Sequence, residues 1–414
     1  MNDIDKIYNT FGKEFCLSPF LSVFYTTNRV VNNVVNNDTS SSTATPCCVI
    51  DWKEFPNASN IVNNSLKSSI NTPIWKDLRK NLAEGRFKEI NACQNCISTE
   101  QLGESSVRIG ANMYFAQSLH TDIITAVQKI INNDYYVNDI LSLEWFPSNY
   151  CNFSCVMCSS GASSARMTYE IKILKQKKKI VINAVDPDFY EILKNAETIK
   201  FTGGETLMQP QVHDLLKYMV ENNIASNKTV LILSNASSSL DDKLLELYSH
   251  FRQIVYVCSL DGVDEVIEYQ RRGCDWKSVE KNSLTLLRHP TISTVGNFVL
   301  TAMNALNVAD FVKWLADNQI NNGVSVSSVR RKNYLTVSTM PDSLRQLAIS
   351  RVREIYDLYP EYQYFMNMIL SIMEQAIYNP VYHKEFCQQI KNEDKDSAKS
   401  FCSVVPEWAE YFIT

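Results

Sequence analysis

Ser148-Asn149-Tyr150-Cys151-Asn152-Phe153-Ser154-Cys155-Val156-Met157-Cys158-Ser159 places three cysteines in one short segment. It directly follows Leu143–Pro147, an apolar run of strand length. From there to Val329, short apolar runs alternate with helical patterns. Strands are expected at Leu143–Pro147, Thr198–Thr202, Val230–Ser234, Ile254–Ser259, Thr294–Leu300 and Val324–Ser328. Helices are expected near Ser160–Gln176, Pro187–Asn195, Pro210–Glu221, Leu240–His250, Trp276–Leu287 and Val308–Asn318. This alternation calls for an α/β fold of parallel strands with right-handed crossovers, closed into a full or partial β/α barrel or left as an open sheet. In either geometry function belongs at the C-terminal ends of the strands. The three-cysteine segment is the first such strand end.

Three thiolates in one loop can wrap a soft metal centre, and iron–sulfur clusters are held by cysteine thiolates. Three ligands for four irons leave one iron open to a chelating substrate or cofactor, whereas a purely structural site is closed. A zinc knuckle using Cys155 and Cys158 would need two remote ligands, and His120, His213, His250, His289 and His383 fall at no zinc-finger spacing. Later strand ends are polar as well. They are Phe201-Thr202-Gly203-Gly204-Glu205, Ser234-Asn235, and Cys258-Ser259-Leu260-Asp261-Gly262, followed by Glu268-Tyr269-Gln270-Arg271-Arg272-Gly273. Glycine lets backbone approach a ligand closely, and Glu205 offers an acceptor to an ammonium. An arginine can pair with a carboxylate, although a glycine-capped helix end with favourable cations reads the same way. The chain has only 11 glycines, under half the average of roughly 7%. Glycines beside strand ends therefore carry weight.

These motifs, in this order, resemble the radical S-adenosylmethionine (SAM) superfamily over most of residues 141–329. The resemblance implies a partial (β/α)6 TIM-like barrel in which Cys151, Cys155 and Cys158 hold a 4Fe–4S cluster. The amino and carboxylate groups of SAM would chelate its open iron. Reductive cleavage would yield methionine and a 5′-deoxyadenosyl radical that abstracts hydrogen from substrate. Met157 stands where the family often has an aromatic residue near the adenine. Gly203, Gly204 and Glu205 match the family's motif for the amino group of SAM, and Asn235, Ser259, Asp261 and Arg272 match its later SAM-contacting positions. The resemblance also implies a reductant such as flavodoxin or ferredoxin. The sequence identifies no further catalytic residue.

A second set, Cys16, Cys47-Cys48 and Cys93-Gln94-Asn95-Cys96, lies upstream. Strands are expected at Phe20–Thr26 and Pro46–Trp52, with an Asn/Ser/Thr-rich loop, Asn32–Thr45, between them. A helix follows within Ser65–Gly85, where Trp75, Leu78 and Leu82 share a face. The order resembles the twitch module, a shortened relative of the SPASM extension, which holds an auxiliary 4Fe–4S cluster. It departs by preceding the barrel and by lacking a tight glycine turn. Adjacent strand residues point to opposite faces, so one of Cys47 and Cys48 is expected to ligate, Cys47 being preferred. Four cysteines around zinc would order this loop-rich segment equally well. Glu100 and Arg108 read as a surface ion pair.

The expected parts are a twitch-like module over 1–110, a linker helix over 111–140, the barrel over 141–329 and a helical region over 330–414. With 45% hydrophobic residues the chain can bury a sizeable core, and disorder is excluded. Twelve cysteines in 414 residues are too few for a disulfide-stapled domain. The N-terminus, MNDIDKIYNTFGKEF, lacks the apolar core of a signal peptide, and no long apolar run is present. A cytoplasmic setting is expected, without a membrane partner. The net charge of −5 gives no drive toward nucleic acid. The basic run Lys172–Lys179 reads as a solvated helix end, and Lys391–Lys399 as solvent-facing. The leading expectation is a radical SAM enzyme acting on a peptide, a protein or a small polar metabolite. The alternative is a non-catalytic zinc or iron–sulfur electron-transfer protein, which would have no need of the SAM-contacting residues.

Overall fold

A computed structural model describes residues 3–32, 42–51, 54–55, 61, 65–101, 105–176, 178–182, 184–320, 323–329 and 332–412, with backbone alone for 28–32 and 178–182. Ten strands are present among them: β1 (Ser22–Thr26), β2 (Asn28–Asn32), β3 (Thr43–Thr45), β4 (Ser142–Phe146), β5 (Lys178–Ile182), β6 (Thr198–Phe201), β7 (Thr229–Ser234), β8 (Gln253–Ser259), β9 (Ser293–Leu300) and β10 (Val324–Ser328). Eight form one sheet in the order β10-β9-β8-β7-β6-β4-β1-β3. The six strands expected from the apolar runs are all there, and each adjacent pair is parallel. The sheet stays open.

Two strands were not expected in it. β1 pairs with β4 in parallel, Ser22 opposite Ser142, and β3 closes the edge antiparallel to β1. The N-terminal segment therefore extends the sheet. The second N-terminal strand is Thr43–Thr45, and Pro46–Ile50 is bend and turn, where a strand over Pro46–Trp52 was expected. Most of the Asn/Ser/Thr-rich stretch lies outside the described residues. The basic run is also corrected: its helix ends at Lys172, and Lys178–Ile182 pairs antiparallel with β2. A helix end cannot account for the whole run.

Burial alternates along the long strands. In β8, Ile254, Tyr256 and Cys258 are buried while Val255, Val257 and Ser259 are half-buried, and β9 repeats the pattern. The buried face lies under helices; Phe298 of β9 packs tilted against Phe311 and edge-to-face against Phe365. The half-buried face lines the hollow of the curved sheet. The Trp75 helix is Pro73–Ala83, with Trp75, Leu78 and Leu82 buried as the spacing requires. The C-terminal region folds as three long helices, Asp342–Ile355, Gln363–Gln375 and Pro380–Asp394. No helix among the described residues is long and apolar enough to cross a membrane.

Candidate active site

Since β4, β6, β7 and β8 are parallel, their C-terminal ends meet at one edge of the sheet. The three-cysteine loop leaves β4 there and is pinned from several sides. The Ser148 amide and hydroxyl donate to Oε1 of buried Gln209, at 3.1 and 3.0 Å. The Gly204 amide donates to the Ser148 carbonyl at 3.1 Å, and the Glu205 amide to the Tyr150 carbonyl at 2.8 Å. Gly203 has φ +124°, and a Cβ on Gly204 would stand 2.0 Å from the Tyr150 oxygen. What these glycines approach is the cysteine loop itself. On the other side, the Ser154 and Val156 amides donate to the carbonyls of Arg272 and Gln270. Lys332, far along the chain, donates from Nζ to the carbonyls of Val156 and Cys158 at 2.6 and 2.7 Å.

This frame tunes the thiols. The Phe153 amide points at the Cys151 sulfur at 3.4 Å, yet burial pushes the Cys151 pKa up to about 11. Cys155 and Cys158 share a hydrogen bond. That bond lowers Cys158 to about 7, against burial and with help from Arg271, Lys332 and Arg166, while Cys155 moves up. The donor set fits a cysteine-ligated cluster: three sulfurs on one loop, with two buried or half-buried cations beside them to offset thiolate charge.

The other expected site residues gather at the same edge in different conditions. Met157 lies half-buried between its two cysteines. Asn235, after β7, donates from its side chain to Asn152 at 3.0 Å and stands 4.0 Å from the Cys151 sulfur. Ser259 ends β8 opposite Asn297, half-buried on the hollow face. Glu205 is 1% exposed and accepts from the Ser234 hydroxyl, the Asn235 amide and the Leu207 amide. Burial raises its pKa. Asp261 is fully buried, accepting from Arg271 at 2.7 Å and from the Val299 amide at 2.9 Å. Arg272 turns toward the C-terminal helix, with Nη1 3.1 Å from Glu393. Arg271 is the arginine beside the thiols. Sequence reading did not single out Lys332 or Gln209, because neither carries a spacing signal.

The upstream cysteines form a second cluster. Cys16, Cys47, Cys93 and Cys96 line one small apolar cavity, joined there by Arg108. Cys16 precedes β1 and Cys47 follows antiparallel β3, so both lie at the N-terminal edge of the sheet, opposite the three-cysteine loop. The helix Val107–Ser118 fastens this region. Asn112, fully buried, bridges the Leu17 amide and the Phe15 carbonyl, and Arg108 donates to the carbonyls of Lys13 and Phe15. Glu100 and Arg108 are no surface pair: the arginine side chain is 4% exposed and grips Glu100 at 2.7 and 2.9 Å. Burial pushes Cys16 up to about 11 and raises Cys47 and Cys93, and neighbouring thiols add to each shift. Among the described residues no three Cys, His, Asp or Glu side chains converge tightly enough for a single metal ion.

Between the two cysteine sites the hollow of the sheet holds a chamber of about 380 Å³. Phe24, Glu144, Lys200, Leu231, Leu233 and Val257 line it from the strands, and Cys47, Cys48 and Tyr114 line it from the N-terminal segment. Cys47 thus reaches both spaces, whereas Cys48 faces only the chamber.

Residues 145–315 match the family model of the radical SAM superfamily. They form a radical SAM domain. No curated protein sequence matches the chain. Among solved structures, SuiB of Streptococcus suis bound to S-adenosylmethionine is 17% identical with a TM-score of 0.36, over 68% of this chain and 62% of that one. Native anSMEcpe with bound AdoMet and the Kp18Cys peptide is 17% identical with a TM-score of 0.39, over 57% and 62%. TYW1 with a lysine-pyruvate adduct is 15% identical with a TM-score of 0.30, over 53% and 73%. The chain spans 62% of the length of the first two. The radical SAM domain begins in β4 and ends in the helix Val308–Asp317, leaving the four-cysteine cavity outside it.

Proposed function

We propose that the chain is a radical SAM enzyme that cleaves SAM reductively and abstracts hydrogen from a substrate held in the hollow of its sheet. An auxiliary 4Fe–4S centre would sit at the opposite edge. The observation that carries the reading is the meeting, inside the family-matched segment, of the three-cysteine loop with Gly203–Glu205 and Asn235. A bound 4Fe–4S cluster supplies the electron that breaks the sulfonium of SAM. Cys151, Cys155 and Cys158 would hold it, with Arg271 and Lys332 balancing their charge. Met157, Asn235 and Ser259 present the surface for SAM. Glu205 holds the ends of β6 and β7 together through Ser234 and Asn235, and Asp261 fixes Arg271. Arg272 ties the segment to the C-terminal helix.

Cys16, Cys47, Cys93 and Cys96, which line one apolar cavity, would hold the auxiliary cluster. A closed four-cysteine centre binds no substrate, so its role is to accept an electron or to shape the chamber wall. Substrates in reach are a peptide segment or a small polar metabolite, and a soluble reductant of the flavodoxin or ferredoxin kind would feed the electron. The expected outcome for anaerobically reconstituted protein given SAM and dithionite is release of 5′-deoxyadenosine, with none from Cys155→Ala. In Cys93→Ala/Cys96→Ala, SAM cleavage should persist while substrate product is lost. Absence of 5′-deoxyadenosine from the unaltered protein would refute the reading.

A further inference from the structure

We propose that the chamber binds a small zwitterion of the α-amino-acid type, its carboxylate on Lys200 and its ammonium on Glu144. An apolar side chain would lie against Leu231, Leu233 and Val257. This rests on the SAM-cleaving reading above and names the substrate class of that enzyme.

Glu144 of β4 and Lys200 of β6 are direct register partners, so both side chains leave the sheet on the same face. Their charged atoms lie 3.2 Å apart on the chamber wall, with side chains 19% and 32% exposed. In the same row Phe24 flanks Glu144 and Leu231 flanks Lys200, so the pair is bounded by apolar residues. Burial works against the Lys200 charge, but Glu144 beside it, with Cys48 and Tyr114, more than offsets this and raises its pKa. Ion pairs shielded from water are commonly no more stabilising than well-packed apolar residues of similar volume. A cation and an anion placed side by side between apolar row neighbours therefore suit a ligand with the opposite charges at the same separation. The α-ammonium and α-carboxylate of an amino acid have that arrangement. Tyr114 lines the same chamber on the side of the N-terminal segment. The volume suits a small molecule, being near the lower end of the roughly 300–1,000 Å³ of ligand pockets.

The test is calorimetric titration of the reconstituted, SAM-loaded full chain with the free apolar amino acids leucine, methionine, phenylalanine and tryptophan. Each is compared with its N-acetyl and carboxamide derivatives. At least one free amino acid should bind, and blocking either charge should weaken it about tenfold or more, the loss expected for a charged hydrogen bond. Lys200→Met and Glu144→Gln should show comparable losses, with SAM affinity reporting that each variant is folded. The proposal is overturned if no free amino acid binds, if the doubly blocked, peptide-like derivative binds as well as its parent, or if both variants bind like the unaltered protein. The blocked-ligand series uses only unaltered protein, so it stands even where a variant misfolds. Failure of SAM cleavage is scored separately by 5′-deoxyadenosine and bears on the enzyme reading alone.

Discussion

A methyl group on Gly204 would collide with the Tyr150 carbonyl, since a Cβ there stands 2.0 Å from the oxygen. Neither side is a flexible side chain, so the loop must move. Gly204→Ala should therefore fold but load only the auxiliary centre, with iron falling from about eight to about four per chain; full loading would show that the loop tolerates the shift. Lys332 acts from farther away in sequence. It donates to the carbonyls of Val156 and Cys158, and it is one of the groups that lower the Cys158 pKa to about 7. Lys332→Met removes a positive charge beside the thiolates and should make the adjacent cluster harder to reduce, because net charge and hydrogen bonding set cluster potentials. A potentiometric titration followed by electron paramagnetic resonance should show the midpoint move negative for that cluster alone. At this scale the cysteines were legible because three of them share one short loop. Arg271 and Lys332 were not, because a lysine 174 residues from Cys158 leaves no periodic trace. Glu205 was legible as an important position, but its full set of internal hydrogen bonds depends on how β7 packs beside β6.

The strands were the most legible elements, since six apolar runs of five to seven residues separated by helical patterns admit few folds. The pairing of β1 with β4 was hidden, because edge pairing depends on what comes alongside and leaves no periodicity in either strand. The run Lys391–Lys399 misleads in another way: its charges suggest solvent, yet Glu393 is 1% exposed. Its carboxylate takes Arg166 at 2.6 and 2.9 Å and Arg272 at 3.1 Å. Arg166 belongs to the helix that follows the cysteine loop, so the carboxylate joins the C-terminal helix to the site. Glu393→Ala would leave two arginines shielded from water with only their longer contacts, at 3.7 Å, to Glu170 and Asp396. The expected cost is about 3–5 kcal/mol, read from denaturant midpoints with an unchanged slope. A loss below about 1 kcal/mol would mean that water reaches the arginines in the variant.

Across the whole molecule, two cysteine sites lie at opposite edges of one sheet, separated by the length of β4, about 15 Å for a five-residue strand. The chamber lies between them. Under the proposed function, such an arrangement would let hydrogen leave a substrate on one side and an electron on the other. The four-cysteine cavity also has a pH signature. Cys16 is raised to about 11 and Cys47 and Cys93 are raised as well, so the folded apo-protein favours neutral thiols more than the unfolded chain does. That contribution is full below the ordinary thiol value of 9 and is lost as pH rises through the folded values. The melting temperature of metal-free protein should fall between pH 9 and 11, while that of cluster-loaded protein should fall much less; parallel curves would argue against ligation by these thiols. The most direct test of the account compares electron paramagnetic resonance spectra of the reduced, reconstituted chain with and without SAM. Two 4Fe–4S signals, of which only the one abolished by Cys155→Ala shifts when SAM is added, are predicted. A single signal indifferent to SAM, or stoichiometric zinc in place of iron, would contradict it.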